Sequence, residues 1–199
     1  MRIGAGKYKG RLLRSLPGSD KRIRPSSAKV KEAFFNIIGG YIEYINFLDL
    51  FSGTGSIGLE ALSRGMERVV FVEKNNFSLK ILRRNIKLID THKQTEVLAI
   101  DAKHALQLLS KKKESFEVVY LDPPYSFPDQ VIMNILNDLY CKGLVKAEGF
   151  IGLERNINRR KNDHKQKMRL DLEKIPFTFW QKKIYGNTIL FIFNNIKKY

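Results

Sequence analysis

The chain has 199 residues, 43% of them hydrophobic, and 36 Lys and Arg against 20 Asp and Glu give a formal net charge of +16. That length suits one domain with a buried core, and the charge favours a polyanionic partner, nucleic acid foremost, over mere drift toward Lys and Asn. No apolar run reaches a membrane span, no signal-peptide pattern opens the chain, and the single Cys141 excludes an internal disulfide. His92, His104 and His164 stand too far apart for a zinc spacing, so the expectation is a cytoplasmic monomer that holds no metal.

Residues 1–25 form a basic N-terminal arm in this reading, and residues 26–199 the main domain. Met1–Ile3 and Arg11–Leu13 are placed to pair as a hairpin across the Gly- and Lys-rich segment between them. Lys7, Lys9, Arg11 and Arg24 surround Tyr8, a mix of cations and one aromatic ring that holds phosphates and stacks bases; a solvated arm is the alternative. Val30, Phe34, Ile37 and Ile38 then fall on one face of a helix, with Ser27 as its cap and Gly39-Gly40 as its stop.

Phe47–Phe51 is the next strand, followed by the loop Ser52–Gly58 and a helix carrying Leu59, Ala61 and Leu62. A strand, a glycine loop and a helix bring a ligand against bare backbone at a helix N-terminus. Gly53-x-Gly55-x-x-Gly58, with Glu73 some 20 residues on, also satisfies the dinucleotide fingerprint, so NAD is a rival at this point. Asp49 tilts against it, because a carboxylate at the ligand mouth suits an amino-acid ammonium better than a pyrophosphate. S-adenosylmethionine offers that ammonium, two ribose hydroxyls for Glu73, and an adenine amine for Asp101 beside Ala102. Asp101 is equally placed to cap the helix 102–110. Phe51, Gly53 and Gly55 complete the expected cofactor set.

Arg68–Glu73, Glu96–Ile100 and Phe116–Leu121 supply three more strands, with helices over 76–89 and 102–110 between them. The last of these strands runs into Asp122-Pro123-Pro124-Tyr125. Two prolines stiffen the corner and remove two backbone donors, Asp122 adds an acceptor, and Tyr125 adds a flat ring. Such a corner receives a nucleobase through its exocyclic amine, though a bare strand-terminating turn has the same letters. Beyond it, Ile132, Ile135, Leu136 and Leu139 mark a helix and Gly149–Leu153 a strand. The wholly polar Asn158–Lys167 has no assigned role. Phe177–Ile184 and Thr188–Phe193 close the chain as a hairpin through Tyr185-Gly186-Asn187, with Trp180 in or half in the core.

Alternating strands and helices give an α/β, doubly wound Rossmann-like sheet in which the first and fourth strands are neighbours, so the glycine loop and the Asp122 corner meet. Several stretches together resemble the RsmD family, bacterial 16S rRNA guanine-N2 methyltransferases. They are Arg24-Pro25-Ser26, Val30-Lys31-Glu32 with Phe34-Phe35-Asn36, Leu48–Gly55, Gly58–Gly65, Asp122–Tyr125 and Tyr185–Leu190. Ser26 stands where the family usually has threonine. The resemblance implies a seven-stranded S-adenosylmethionine-dependent fold with an antiparallel last strand. It also implies one guanine target in 16S rRNA, in the assembled or assembling small subunit, with Asp122, Pro123, Pro124 and Tyr125 catalytic and Asp122 also at the cofactor. The alternatives are an N6-adenine methyltransferase acting on DNA or RNA, and a non-catalytic RNA-binding assembly factor.

Overall fold

The computed structural model describes residues 1–16, 25–39, 46–156 and 171–196; of residues 25–27 only the backbone is described. Seven strands form one sheet: β1 (Asn46–Asp49), β2 (Arg68–Val72), β3 (Thr95–Leu98), β4 (Phe116–Leu121), β5 (Val145–Asn156), β6 (Thr178–Tyr185) and β7 (Thr188–Asn194). Their order is β3-β2-β1-β4-β5-β7-β6, with β1 to β5 parallel and β7 antiparallel to both of its neighbours. The hydrophobic runs of β1, β2 and β4 show no alternation because helices cover both faces. Edge strand β6 is largely exposed and carries Lys182 and Lys183, charges that discourage pairing with another chain.

Helices α4 (Ala102–Lys111) and α5 (Asp129–Cys141) pack on one face against Leu48, Val70 and Val119. Helices α1 (Pro25–Ile38), α2 (Ser56–Ser63) and α3 (Asn76–Leu88) pack on the other, against Phe47, Phe71 and Tyr120. Ile3 and Leu13 of the N-terminal arm belong to this second cluster and are buried. The arm is a hairpin, with Arg2 opposite Leu12 and the Ile3 amide 3.0 Å from the Arg11 carbonyl.

Buried polar groups fasten that hairpin to the domain. Glu60 accepts from the Gly4 amide at 2.8 Å, the Ala5 amide at 3.0 Å, Lys31 Nζ at 2.9 Å and Arg64 Nε at 3.0 Å. Asn85 of α3 accepts from the Arg14 amide and donates to the carbonyls of Arg14 and of Thr54 in the glycine loop. The arm, the loop and α3 are thus joined through one side chain.

Some boundaries differ from the sequence reading. Helix α1 opens at Pro25, so Ser27 lies within its first turn; proline's fixed φ and missing amide suit that first position. Gly40 is outside the described residues. Strand β1 stops at Asp49 rather than Phe51, because the chain turns there and Ser52 Oγ donates to the Asp49 carbonyl at 2.7 Å and to the Val72 carbonyl at 3.2 Å. Strand β5 starts four residues before Gly149: Glu148 takes a positive φ of 62°, and the pairing with β4 shifts register between Phe116 and Val118. Trp180 lies on edge strand β6, 40% exposed, with its ring edge-on to Phe150 at 5.4 Å.

Candidate active site

A parallel strand in a doubly wound sheet presents its C-terminal residue to the crevice where ligands bind. Here a cavity of about 730 Å³ opens at those ends, lined by Phe51, Gly53, Glu73, Asp101, Ala102, Asp122 and Pro124 among others. Its walls are apolar where Leu50, Val72, Ile100, Phe127 and Val131 contribute, and the volume is in the range that holds a nucleoside-sized ligand.

Each polar group has a definite mount. Glu73 follows the last residue of β2; Oε2 accepts from the Gly53 amide at 2.8 Å and Oε1 from the Asn75 amide at 2.7 Å, which ties the glycine loop to the strand tip. Gly53 adopts φ 54° and nothing lies within 4 Å of where a Cβ would be, so its open side faces ligand space. Gly55 and Gly58 serve packing instead. A Cβ on Gly55 would stand 2.4 Å from Leu82 Cδ1, and one on Gly58 would stand 2.3 Å from Phe71 Cε1. Gly55 does not line the cavity. Asp101 caps α4: Oδ1 accepts from the His104 amide at 3.1 Å and Oδ2 lies 2.7 Å from His104 Nδ1. Those bonds hold its carboxyl below the usual carboxylate range.

Asp49 is 2% exposed and accepts from the Gly58 amide at 3.1 Å. Burial pushes its carboxyl up to about 7 against the pull of that amide, and the charges of Asp122 and Glu73 add to the rise. It lies behind the cavity lining, on the side of the sheet that carries α2.

Asp122 is solvent-accessible on its cavity side but crowded by protein elsewhere, and this desolvation raises its carboxyl to about 6. Among the described residues neither its carboxyl nor the Pro123 carbonyl has a hydrogen-bond donor. The Pro124 carbonyl, by contrast, accepts from the Phe127 amide at 2.9 Å. The corner is pinned from the next strand: Arg155 Nη2 donates to the Phe127 carbonyl at 3.1 Å and to Asp129 Oδ1 at 2.9 Å. Tyr125 is 66% exposed at the mouth.

The basic residues Lys7, Lys9 and Arg11 of the arm do not line this cavity. Lys7, Lys9 and Arg11 are exposed; Tyr8 is half-buried, its amide bonded to Ser63 Oγ and its ring under Lys7 Nζ at 5.3 Å. Arg24 and Asn158–Lys167 lie outside the described residues.

Two residues escaped the sequence reading. Tyr120 is fully buried, and its hydroxyl donates to Oε1 of Glu154, which follows the apolar run of β5. Glu154 repeats the signal that singled out Asp49, Glu73, Asp101 and Asp122, namely an acid at the C-terminal end of a parallel strand.

Three acids beyond strand tips, Glu73, Asp101 and Asp122, line one apolar cavity of a doubly wound sheet, and the class is that of an S-adenosylmethionine-dependent methyltransferase. The lining fits that cofactor: Glu73, Asp101 and Asp122 are carboxyl groups, which accept from hydroxyls and from an amine. Comparison with known proteins gives the family. The model described as "Conserved hypothetical protein 95" matches residues 1–194. The chain is 36% identical to the Bacillus subtilis protein YlbH over 154 residues, 77% of this chain and 82% of YlbH. It is 36% identical to the Haemophilus influenzae "Ribosomal RNA small subunit methyltransferase D" over 130 residues, 64% of this chain and 65% of that one. The solved Thermus thermophilus protein TTHA0928 superposes with a TM-score of 0.76 at 26% identity, covering 96% of this chain and 98% of its own. The chain belongs to the conserved hypothetical protein 95 family, the RsmD family of methyltransferases.

Proposed function

We propose that this protein methylates the exocyclic N2 of one guanine in 16S rRNA, in the assembled or assembling small ribosomal subunit, as a cytoplasmic monomer. The observation that carries the reading is a pair of acceptors without donors among the described residues, the Asp122 carboxyl and the Pro123 carbonyl, beside the exposed ring of Tyr125. An exocyclic amine has two hydrogens to give, and a base has a face to stack. The small-subunit rRNA in the name of the Haemophilus influenzae relative supports the RNA class.

S-adenosylmethionine supplies an electrophilic methyl group. The chain's residues hold the two reactants. Glu73 takes the ribose hydroxyls and Asp101 beside Ala102 the adenine amine, with Phe51 and Gly53 shaping the floor; Asp49, expected from the sequence to meet the ammonium, is buried behind that floor and holds the Gly58 amide instead. Asp122 and the Pro123 carbonyl draw the two amine hydrogens to one side, which turns the nitrogen lone pair outward, and Tyr125 fixes the ring plane. Positioning of this kind is worth up to ~7–11 kcal/mol for well-oriented reactants. Asp122 would accept the proton that the amine sheds on methylation, as the donor's sulfur–methyl bond breaks and its sulfonium becomes a neutral thioether. Residues 1–25 form the basic unit that meets RNA through Lys7, Lys9, Arg11, Tyr8 and Arg24, and residues 26–199 the methyltransferase domain.

The test supplies labelled S-adenosylmethionine with undermethylated small subunits, naked 16S rRNA or duplex DNA. Label recovered as N2-methylguanosine from small subunits is the expected result. Label in N6-methyladenine, or in DNA alone, overturns the guanine assignment while leaving the family intact. Asp122→Ala is expected to abolish turnover with S-adenosylmethionine binding retained; equal loss of both would assign Asp122 a structural role.

A further inference from the structure

Glu154 is an acid that the reaction as described does not use, yet the fold goes to some length to mount it. Strands β4 and β5 are parallel with Leu121 opposite Leu153, so Asp122 and Glu154 are the next pair in register. Neighbouring strands lie about 4.8 Å apart and paired residues point to the same face, which puts the two carboxyls side by side, near enough for the charge of Asp122 to act on Glu154. Tyr120, two residues before Asp122 on that face, lends its hydroxyl to Oε1 of Glu154. Its ring lies across β5 because residue 152 has no side chain: a Cβ there would stand 2.7 Å from Tyr120 Cδ2 and 2.5 Å from Phe34 Cε2. Phe34 holds the ring from the other side, edge-on at 4.7 Å.

No cation among the described residues answers Glu154. The adjacent Arg155 is engaged with Asp129 and the Phe127 carbonyl instead. Burial, reinforced by the charge of Asp122 and only partly offset by the Tyr120 bond, pushes the Glu154 carboxyl up to about 8. Keeping a carboxyl in such a place works against stability unless a ligand repays it. Oε2 has no hydrogen-bond partner among the described residues.

Resting on the guanine-N2 reading above, we infer that Glu154 is a specificity-determining residue that accepts the N1–H of the target guanine through its free oxygen while Asp122 accepts the adjacent N2 amine. The Watson–Crick edge of guanine presents exactly two neighbouring donor groups, N1–H and N2–H, to match two neighbouring carboxyls. Adenine presents an acceptor at N1, which an ionised Glu154 oxygen rejects, so the discrimination belongs to the ionised carboxyl and strengthens as pH rises toward and past about 8. The Asp122 corner alone does not distinguish the two bases, since both carry an exocyclic amine. Glu154 supplies the distinction.

The test uses the full-length protein and small subunits reconstituted from ligated 16S rRNA that carries either guanosine or 2,6-diaminopurine at the methylated position. Diaminopurine keeps the N2 amine and replaces N1–H by an acceptor. At a pH of about 8.5, where the Glu154 carboxyl is mostly ionised, wild type is expected to favour guanosine in kcat/KM by about tenfold or more, the scale of one hydrogen bond to an ionised group. Glu154→Gln, whose amide offers either a donor or an acceptor, is expected to narrow that preference to within about threefold, with the Kd for S-adenosylmethionine unchanged. Tyr120→Phe, which removes only the hydroxyl that aims Glu154, shifts the ratio in the same direction. A ratio unmoved in both variants, or an equal fall on both substrates, overturns the role of Glu154 and leaves guanine-N2 methylation standing. Wild type that fails to label guanosine N2 overturns both.

Discussion

Replacing Asp49 by asparagine should make the protein more stable, and the gain should depend on pH. The Asp49 carboxyl lies 2% exposed, and its ordinary value of 3.8 is raised to about 7, burial being the largest cause. A folded-state value above the unfolded one means that the native state holds the proton more tightly. Stability is therefore unaffected by this group below the unfolded value, falls as pH rises from about 4 toward 7, and stays reduced above that. At about 1.4 kcal/mol per unit, the rise corresponds to a ceiling of roughly 4 kcal/mol at pH 8. Asparagine has no charge to bury and keeps an acceptor for the Gly58 amide. Asp49→Asn is expected to raise the unfolding free energy by about 2–4 kcal/mol at pH 8 and by less than about 1 kcal/mol at pH 4.5, measured by urea unfolding at both values. A variant destabilised at pH 8, or stabilised equally at both values, would refute the reasoning.

Three further outcomes follow from the packing and the charge. Gly152→Ala forces a methyl group into the rings of Tyr120 and Phe34, and overpacking of this kind costs about 1–3 kcal/mol. Thermal unfolding should show it, together with reduced turnover as Tyr120 is displaced; an unchanged Tm sinks the idea. Glu60→Ala strips the buried Lys31 of its partner and releases the Gly4 and Ala5 amides, for an expected loss of about 3–5 kcal/mol and faster amide exchange in residues 1–13. A loss under about 1 kcal/mol would mean that the arm is held by Ile3 and Leu13 alone. Removing Lys7, Lys9 and Arg11 together should flatten the salt dependence of RNA binding by about 0.7 per lost phosphate contact on single strands. An unchanged slope would assign those charges to solubility.

Much of the cavity lining was legible in the sequence because its signals are local. An apolar run that ends in an acid, followed by glycines or by a helix, fixes both the strand and the residue at its tip within a few positions, as at Glu73, Asp101 and Asp122. The two-proline corner is equally local, since φ is set by the ring itself. Boundaries slipped where a hydrogen bond from elsewhere decided them: Ser52 ends β1 by reaching Val72 on the neighbouring strand, and β5 begins early because its irregular start is carried by pairing with β4.

What only the tertiary structure decided is which distant residues share a face. Sequence marks Gly55 and Gly53 alike, but packing turns the first toward Leu82 and leaves the second open to the cavity. Sequence treats the N-terminal arm as a basic appendage, whereas its apolar residues complete the cluster under α1 and its backbone is bound by Glu60, Ser63 and Asn85. Tyr120 and Glu154 are 34 residues apart, and nothing in either segment announces the other. Only the parallel register of β4 and β5, with a glycine where a side chain would intervene, brings the phenol to the acid and the acid to Asp122.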